Sequence, residues 1–495
     1  MQPESLAEPP DEMFSFSLLG STPTLLAPRL GRLSLTGRKP IQTPNHVPIT
    51  SRGVLPHVSH DIMYDRMSIG SLYAAFEDCK MDSCPFNLTL NARTYLSRSN
   101  NAAHWSSLVA EKGHRSIPPI YQIPTQPFES ALRKFICQHE DLLLILGPRR
   151  VPPVPCPTPN SSNSVTILSS VGYRQLETEQ YIEAIQKLQP DIAVGLSDLS
   201  SKPPGVKRRE RMVDRTHAWT RDAIDRLYDK QDEGNFVSLF LAPLLPLDKE
   251  QQMLYIEELE DEMRQNVAGF AVYDTHSTSA IPESMSALVR LSLSETKTPR
   301  EILKEVSLGI DLSTVPFVGE ASDAGIALDF GFPSLARDVE TDVRPLGIDM
   351  WPATHAADMS PLSRSCKCYT CQKFSRAYIR HLLHAKEMLS WTLLQIHNYH
   401  VLDNFYVAIR DSIARGTFDE DVAKFERAYE PELPRQSGQG PRLRGYQFKG
   451  EAGAKPKNPK VYGRLDQITT APTQSGSSIV TPNVDAHGFA ANTTF

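Results

Sequence analysis

The sequence predicts an α/β fold built on a parallel sheet, and three observations predict it. Continuous apolar runs recur after residue 140, as strands buried on both faces require. Segments with apolar residues at helical spacing separate them, and the alternation repeats four times, which is the rhythm of βαβ units. The first run is LLLILG at 142–147. Tyr181, Ile182, Ile185 and Leu188 then line one helix face, Pro190 stops that helix, and DIAVGL at 191–196 reads as the next strand. A charged helix across 207–230, strand-like FVSLFLAPLL from 236, a helix from 249 and the strand VAGFAVY at 267–273 continue the pattern. At 298–308 the start signals are complete. Thr298 caps, Pro299 suits the first turn and Glu301 completes a capping box, leading into a strand GIDL at 309–312. Upstream, FSFSLL and RLGRLSL alternate as strands do, so the fold starts near Met13.

Length and composition bound the rest. At about 150 residues per domain, 495 residues suggest three domains, and one α/β barrel of about 250 fits as well. A hydrophobic share of 40% with 39 prolines describes a folded core carrying unpacked segments, which excludes a fibrous or wholly disordered chain. Residues 1–12 read as a disordered leader, 333–345 as a surface insertion and 434–495 as a disordered basic and polar tail. No run of 18 apolar residues exists and the start is acidic, so a transmembrane or secreted reading fails. Seven cysteines, three of them in CKCYTC, suggest thiols held by metal in a reducing compartment, which places the protein in the cytoplasm. A net charge of −6 leaves any polyanion contact to local patches.

Cys366, Cys368 and Cys371 form C-x-C-x2-C, three thiolates able to take three corners of a tetrahedron around zinc. The fourth corner suits a histidine, and His381, His384, His397 and His400 follow in a helical stretch. In one unbroken helix His397 would lie about 39 Å beyond Cys371, so His397 requires a reversal, for which a break at 384–387 would serve. Periodicity does not choose between His397 and His384. Four protein ligands leave no open position, so the metal would be structural.

CKCYTCQKFSRAYIRHLLHAKEMLSWTLLQIHNYH resembles the zinc motif of the tRNA-guanine transglycosylases, C-x-C-x2-C-x25-H ending in Ile-His-Asn. IQTPNHVPITSRGVLPHVSHD from Ile41, the Leu-Gln-Pro-Asp-Ile run at 188–192, DRTHAWTRDAI from Asp214 and PREILKEVSLGIDL from Pro299 extend the likeness over 13–415. The resemblance implies a (β/α)8 TIM-type barrel over 13–332, a zinc subdomain with a helical hairpin over 346–415 and a terminal helix over 416–433. It also implies one structural Zn2+ on Cys366, Cys368, Cys371 and His397.

Such enzymes exchange the wobble guanine of tRNAs with GUN anticodons for a deazaguanine, queuine in eukaryotes, through an aspartate that attacks the ribose and a second carboxylate that handles protons. This sequence departs from that chemistry. The segment expected to end in the nucleophile runs Gly309, Ile310, Asp311, Leu312, Ser313, Thr314, with a threonine in its place. A second GID at 347–349 puts Pro352 there. The D-S-G-G-F-Q stretch is absent, the base-recognition loop is replaced by GFAV followed by Tyr273, Asp274, Thr275 and His276, and Ser197 stands where a carboxylate is expected, with Asp198 one place late.

A non-catalytic member is thus implied, paired as a heterodimer with a catalytic queuine tRNA-ribosyltransferase subunit on tRNA, in the cytoplasm and at the periphery of the mitochondrial outer membrane. An active base-exchange enzyme and a zinc-stabilised scaffold without a tRNA role are the alternatives. For activity, Asp311 would have to serve, yet strand alternation puts 311 and 313 opposite 314. Asp198, Asp274 and His276 form another acid/base set or polar loop residues. Lys207, Arg208, Arg209 and Arg211 offer RNA phosphates a site or make a solvated helix face. So do Arg435, Arg442, Arg444, Lys449, Lys455, Lys457, Lys460 and Arg464, with Tyr446, Phe448 and Tyr462 between them, in a tail that is otherwise simply disordered. Cys79, Cys84, Cys137 and Cys156 show no ligand spacing and read as ordinary thiols.

Overall fold

The computed structural model describes residues 14–19, 26–79, 119–125, 129–169, 172–228, 238–334 and 343–441. The leader over 1–12, most of the 333–345 insertion and the tail beyond 441 lie outside them.

Alternating FSFSLL and LGRLSL pair as β1 (Phe14–Leu19) and β2 (Leu30–Leu35), and β3 (Ile41–Thr43) completes an antiparallel sheet. The chain then enters β4 (Asn45–Val47), β5 (Ser71–Ala75) and β6 (Leu143–Gly147). A hairpin of β7 (Ser164–Ser169) and β8 (Gly172–Glu177) intervenes before β9 (Ile192–Val194), β10 (Leu239–Leu244), β11 (Val267–Val272), β12 (Val289–Ser292) and β13 (Leu312–Thr314). Neighbours in space run β4, β13, β12, β11, β10, β9, β6, β5, every contact parallel. A parallel bridge between Ile49 and Tyr73 joins the first strand to the last, so the eight close into a TIM-type barrel.

Alternation along each strand sorts the core. Val47, Leu143, Ile145, Ile192, Val194, Leu241, Ala271, Leu291 and Leu312 fill the interior, with Leu33, Leu35 and Ile41 of the antiparallel sheet packed on them. Leu144, Leu146, Ala193, Phe270 and Val272 point outward to the helices. Because β3 runs straight into β4, the small sheet plugs the N-terminal end of the barrel. Two buried carboxylates lock that end. Asp311 accepts from Arg29 Nε (2.8 Å) and from the Arg290 N–H (2.8 Å). Asp191 accepts from Arg38 (2.9 Å), Arg133 (2.6 Å) and the Leu144 N–H (2.7 Å).

Three local expectations shift. GIDL does not open as a strand at 309, because Gly309 turns at φ +79° and pairing begins at Leu312. The helix expected from 249 starts with a short 3-10 turn at Lys249–Gln251 and becomes α-helical over Met253–Asp261. Helix Pro299–Ser307 has Thr298 as its N-cap without a side-chain cap bond, and Glu301 accepts instead from the Lys297 N–H (2.5 Å), so the capping box is not formed.

After β13, helix Pro316–Ala324 leads into the antiparallel pair β14 (Ile326–Leu328) and β15 (Gly347–Asp349). Beyond them come the cysteines, helix Arg376–Ala385, a left-handed Lys386 that reverses the chain, and the 28-residue helix Met388–Arg415. Trp391, Leu393 and Leu394 of that last helix belong to a small core with Met350, Leu362 and Ile379. Further along, Leu402, Phe405, Tyr406 and Ile409 join the outer core of the barrel. Helix Phe418–Ala428 follows. Among the described residues no helix is long and apolar enough to cross a membrane.

Candidate metal centre and barrel mouth

The cysteines are presented by a turn whose own polar groups shape it. Cys368 Sγ accepts from the Cys371 N–H (3.3 Å) and caps the short helix Tyr369–Lys373, while Cys366 Sγ accepts from the Cys368 N–H (3.5 Å). Thr370 ties this turn to the long helix by donating to the Leu393 carbonyl (2.7 Å). The reversal at Lys386 then returns His397, fully buried, to the thiols. Its Nδ1 lies 3.6, 3.5 and 3.4 Å from the sulfurs of Cys366, Cys368 and Cys371, and the four donors fall within 4.8 Å of one another.

This set fits a tetrahedral metal ion. Bonds of about 2.3 Å to sulfur and about 2.0 Å to nitrogen would separate those atoms by roughly 3.5 Å. His397 Nε2 donates to the Leu328 carbonyl (2.9 Å), which fixes the tautomer that turns the Nδ1 lone pair toward the thiols. Burial would lower the pKa of His397, but hydrogen bonds to Cys368 and Cys371 raise it to about 10. Hydrogen bonds among the three thiols push Cys366 up and hold Cys371 well below the ordinary thiol range. The cluster could hold a metal ion, and its donors are compatible with zinc. His381 and His384 are exposed and His400 is half-buried, and none of them is in the cluster.

Sequence reasoning missed Asn398. It accepts from the Leu328 N–H (2.8 Å) and donates to the Ile326 carbonyl (3.0 Å) and to Ser322 Oγ (2.9 Å). His397 and its neighbour together fasten the helix to β14. The Ile-His-Asn triplet was the available signal.

The C-terminal end of the barrel is filled. Tyr73 projects into the interior and donates to the Arg149 carbonyl (2.7 Å), and Gly147 is required beside it, because a Cβ there would lie 1.8 Å from the phenol oxygen. Val151, Leu293 and Tyr273 pack in the same cluster. Thr314 shares the inward face of Leu312, is fully buried, and donates to the Ser292 carbonyl (3.0 Å). Asp311 sits at the opposite end of the same short strand, consumed by Arg29, so it cannot stand in for a nucleophile at the mouth.

The carboxylates that do stand at the C-terminal strand ends are tied down. Asp198, fully buried, takes both guanidinium nitrogens of Arg208 (2.6 Å each), Arg215 (3.0 Å) and Asn160 (2.7 Å). Burial pushes its carboxyl up, yet these partners, Arg208 foremost, leave it below the usual carboxylate range. Glu77 and Asp78, which the sequence reading passed over, follow β5 directly. Glu77 accepts from the Arg150 and Leu168 N–H groups (2.7 and 3.0 Å), and Asp78 pairs with the Arg150 guanidinium (2.5 Å). Burial raises the Glu77 carboxyl in spite of Arg150. Asp274 caps a 3-10 turn by accepting from the His276 N–H (3.0 Å), while exposed His276 accepts from Lys304 Nζ (3.1 Å).

The basic run divides. Arg208 belongs to Asp198 and Arg209 donates to the Pro204 carbonyl (3.2 Å), leaving Lys207 and Arg211 outward. Of the tail cations, Arg435 is described and exposed, and those from Arg442 to Arg464 lie outside the described residues. Cys137 is exposed, Cys156 is half-buried with its thiol pushed up by burial, Cys79 closes a short helix, and Cys84 lies outside the described residues.

A closed parallel barrel followed by a long helix that carries the fourth donor of a Cys3His centre agrees with the barrel and metal subdomain that the sequence resemblance implies. The family model described as Queuine tRNA-ribosyltransferase matches residues 117–431. A Schizosaccharomyces pombe protein named queuine tRNA-ribosyltransferase accessory subunit 2 is 33% identical over 411 residues, 83% of each chain. Proteins of the same name from Anopheles gambiae (25% over 428 residues, 81% of this chain and 88% of that one) and Xenopus tropicalis (25% over 431 residues, 78% and 94%) are similar as well. The chain belongs to the queuine tRNA-ribosyltransferase family.

Proposed function

We propose that this chain is the non-catalytic accessory subunit of a heterodimeric queuine tRNA-ribosyltransferase. It helps to position tRNAs with GUN anticodons while a catalytic partner supplies the carboxylate that exchanges wobble guanine for queuine. The observation that carries this reading is the barrel mouth. At the position of the expected nucleophile stands Thr314, whose hydroxyl already donates to a backbone carbonyl, and Glu77, Asp78 and Asp198 are held by guanidinium or backbone donors. The accessory-subunit names of its relatives support the same role. One zinc ion on Cys366, Cys368, Cys371 and His397 is structural in this reading, since four protein donors leave no position for water. The complex works in the cytoplasm, with a share at the mitochondrial outer membrane surface.

Base exchange into tRNA by this chain alone, by the catalytic partner alone and by the mixture is the test. Activity in the mixture only is expected. Activity of the lone chain would make it an enzyme, and no gain on mixing would leave a zinc-stabilised scaffold.

A further inference from the structure

Between helix His60–Arg66, which follows β4, and the loop 137–141 that leads into β6 lies a cavity of about 460 Å³. None of its lining residues belongs to the metal knuckle, the turn and helices that carry the four donors, or to the barrel mouth. Its charge is of one sign. Asp61, Asp65 and Glu140 line it, and among the described residues the lining contains no lysine or arginine. Asp61 and Asp65 are exposed and enter no ion pair among the described residues, while the Glu140 carboxylate lies 3.8 Å from Arg38. Hydrogen bonds from Ser59 and the Ile62 N–H hold the Asp61 carboxyl below its ordinary range.

The walls are fixed in advance. Cys137 takes a left-handed turn at φ +55°, Arg133 donates to the His139 carbonyl (2.6 Å), and Arg38 donates to the Glu140 carbonyl (2.6 Å). The Tyr64 ring stacks on His139 at 3.7 Å and 13°, lies 4.3 Å from Lys39 Nζ, and its hydroxyl donates to Asp141 (3.1 Å). Gln138, only 6% exposed, lines the cavity as well. Its Nε2 donates to the Gly53 carbonyl (3.1 Å) and to His60 Nδ1 (2.8 Å), which sets the orientation of the amide and leaves Oε1 a buried acceptor with no partner among the described residues. An unpartnered acceptor beside three carboxylates suits a donor that is also a cation.

That cation is larger than a metal ion. Among the described residues only the Cys3His cluster brings three or more metal-type donors within 4.8 Å of one another, so the acids, imidazoles and thiol of this cavity do not converge on one centre. Asp61 and Asp65 stand one helical turn apart, about 6 Å between Cβ atoms, and ammonium groups joined by a short alkyl chain have a similar separation. Glu140 adds a third charge from the loop. We propose that this cavity is a binding site for a linear aliphatic polyamine, whose ammonium groups pair with Asp61, Asp65 and Glu140 and donate to Gln138. The site is independent of the accessory-subunit reading.

The test is a calorimetric titration of spermidine into the full, metal-replete chain at low salt, with butylamine and Mg2+ as cations of a single centre. Wild type should bind spermidine saturably and roughly 10-fold more tightly than either. The combined Asp61→Asn, Asp65→Asn chain should bind it roughly 10-fold more weakly, because two partly exposed charge pairs are lost. Glu257 and Asp261 provide a matched control, since they too are exposed carboxylates one turn apart on a helix but do not line this cavity. The combined Glu257→Gln, Asp261→Asn chain should keep the wild-type affinity. All four positions are exposed, so the melting curves of both variants should match wild type. An equal loss in the two variants would reduce the effect to diffuse attraction by surface charge and overturn the proposal. Wild type without saturable spermidine binding, or with Mg2+ bound as tightly, overturns it too.

Discussion

The metal knuckle and the barrel mouth are both polar sites in apolar surroundings, but they dispose of their polar groups in opposite ways. At the knuckle, three sulfurs and one nitrogen converge within 4.8 Å with lone pairs facing a common centre, and the atoms behind them, such as the Leu328 carbonyl, fix their aim. At the mouth the carboxylates diverge, each turned into a guanidinium or a backbone N–H, and the interior is filled by Tyr73, Tyr273, Leu293 and Val151. Convergence of donors on one centre makes a binding site. Mutual satisfaction makes a seal. The two ends of one chain thus put their polar groups to different uses.

Metal removal should separate the two regions most sharply. Stripping the proposed zinc ion, or Cys368→Ser, should remove a centre of the kind that contributes about 10 kcal/mol or more in small zinc modules, and the subdomain should then unfold. Metal content and a melting curve measure this, and a soluble Cys368→Ser chain that still pairs normally would contradict a structural ion. Next in size is the sealed N-terminal end. Asp311→Ala leaves Arg29 buried without its partner and should cost about 3–5 kcal/mol in denaturant unfolding, with no loss of metal. Asn398→Ala should cost about 1–3 kcal/mol, because the β14 N–H and carbonyl lose their partner, and it should also loosen metal retention in a chelator competition.

A smaller effect depends on pH. Burial raises the Glu305 carboxyl above its ordinary 4.5, against hydrogen bonds from Ser294, Ser313 and Ser292. Its protonated form therefore supports the fold fully below about pH 4.5, and that support is lost as pH rises through the elevated value. Glu305→Gln should flatten this part of the stability profile, and an unaltered profile would contradict the assignment. The smallest expected effect is on catalysis. Thr314→Asp restores a carboxylate at the expected position, but into the filled interior, so base exchange by the lone chain should stay at background in a guanine-incorporation assay while stability falls. Detectable exchange would show that the mouth can open.

How much of this was legible in the sequence follows from which interactions are local. The apolar runs at 142–147, 191–196 and 267–273 became β6, β9 and β11, because burial on both faces imposes their composition whatever lies beside them. The cysteine spacing is equally local. The choice among four histidines was not, since it depends on Lys386 adopting a left-handed turn at φ +57°, and for that position the motif resemblance supplied what periodicity lacked. The capping box failed because Glu301 reached one residue further back, to the Lys297 N–H. Glu77 was overlooked because its partners, Arg150 and Leu168, lie 73 and 91 residues away, and nothing in the local pattern announces such a meeting. The seal of the mouth was equally invisible, since alternation tells which side of a strand Tyr73 takes but not that it fills the space above Gly147.

Helix Met388–Arg415 spans about 42 Å and serves as a single spar for two cores. Trp391 and Leu394 anchor one end beside the thiols. At the other, Asp403 meets His46 of β4 (2.6 Å) and Arg410 donates to the Pro44 carbonyl (2.8 Å). There is consequently no seam along which the knuckle could be excised, and ion occupancy has a rigid lever onto the first barrel strand. Amide protons of β4 should exchange faster once the ion is gone, and heat should melt the described body in one cooperative step rather than two.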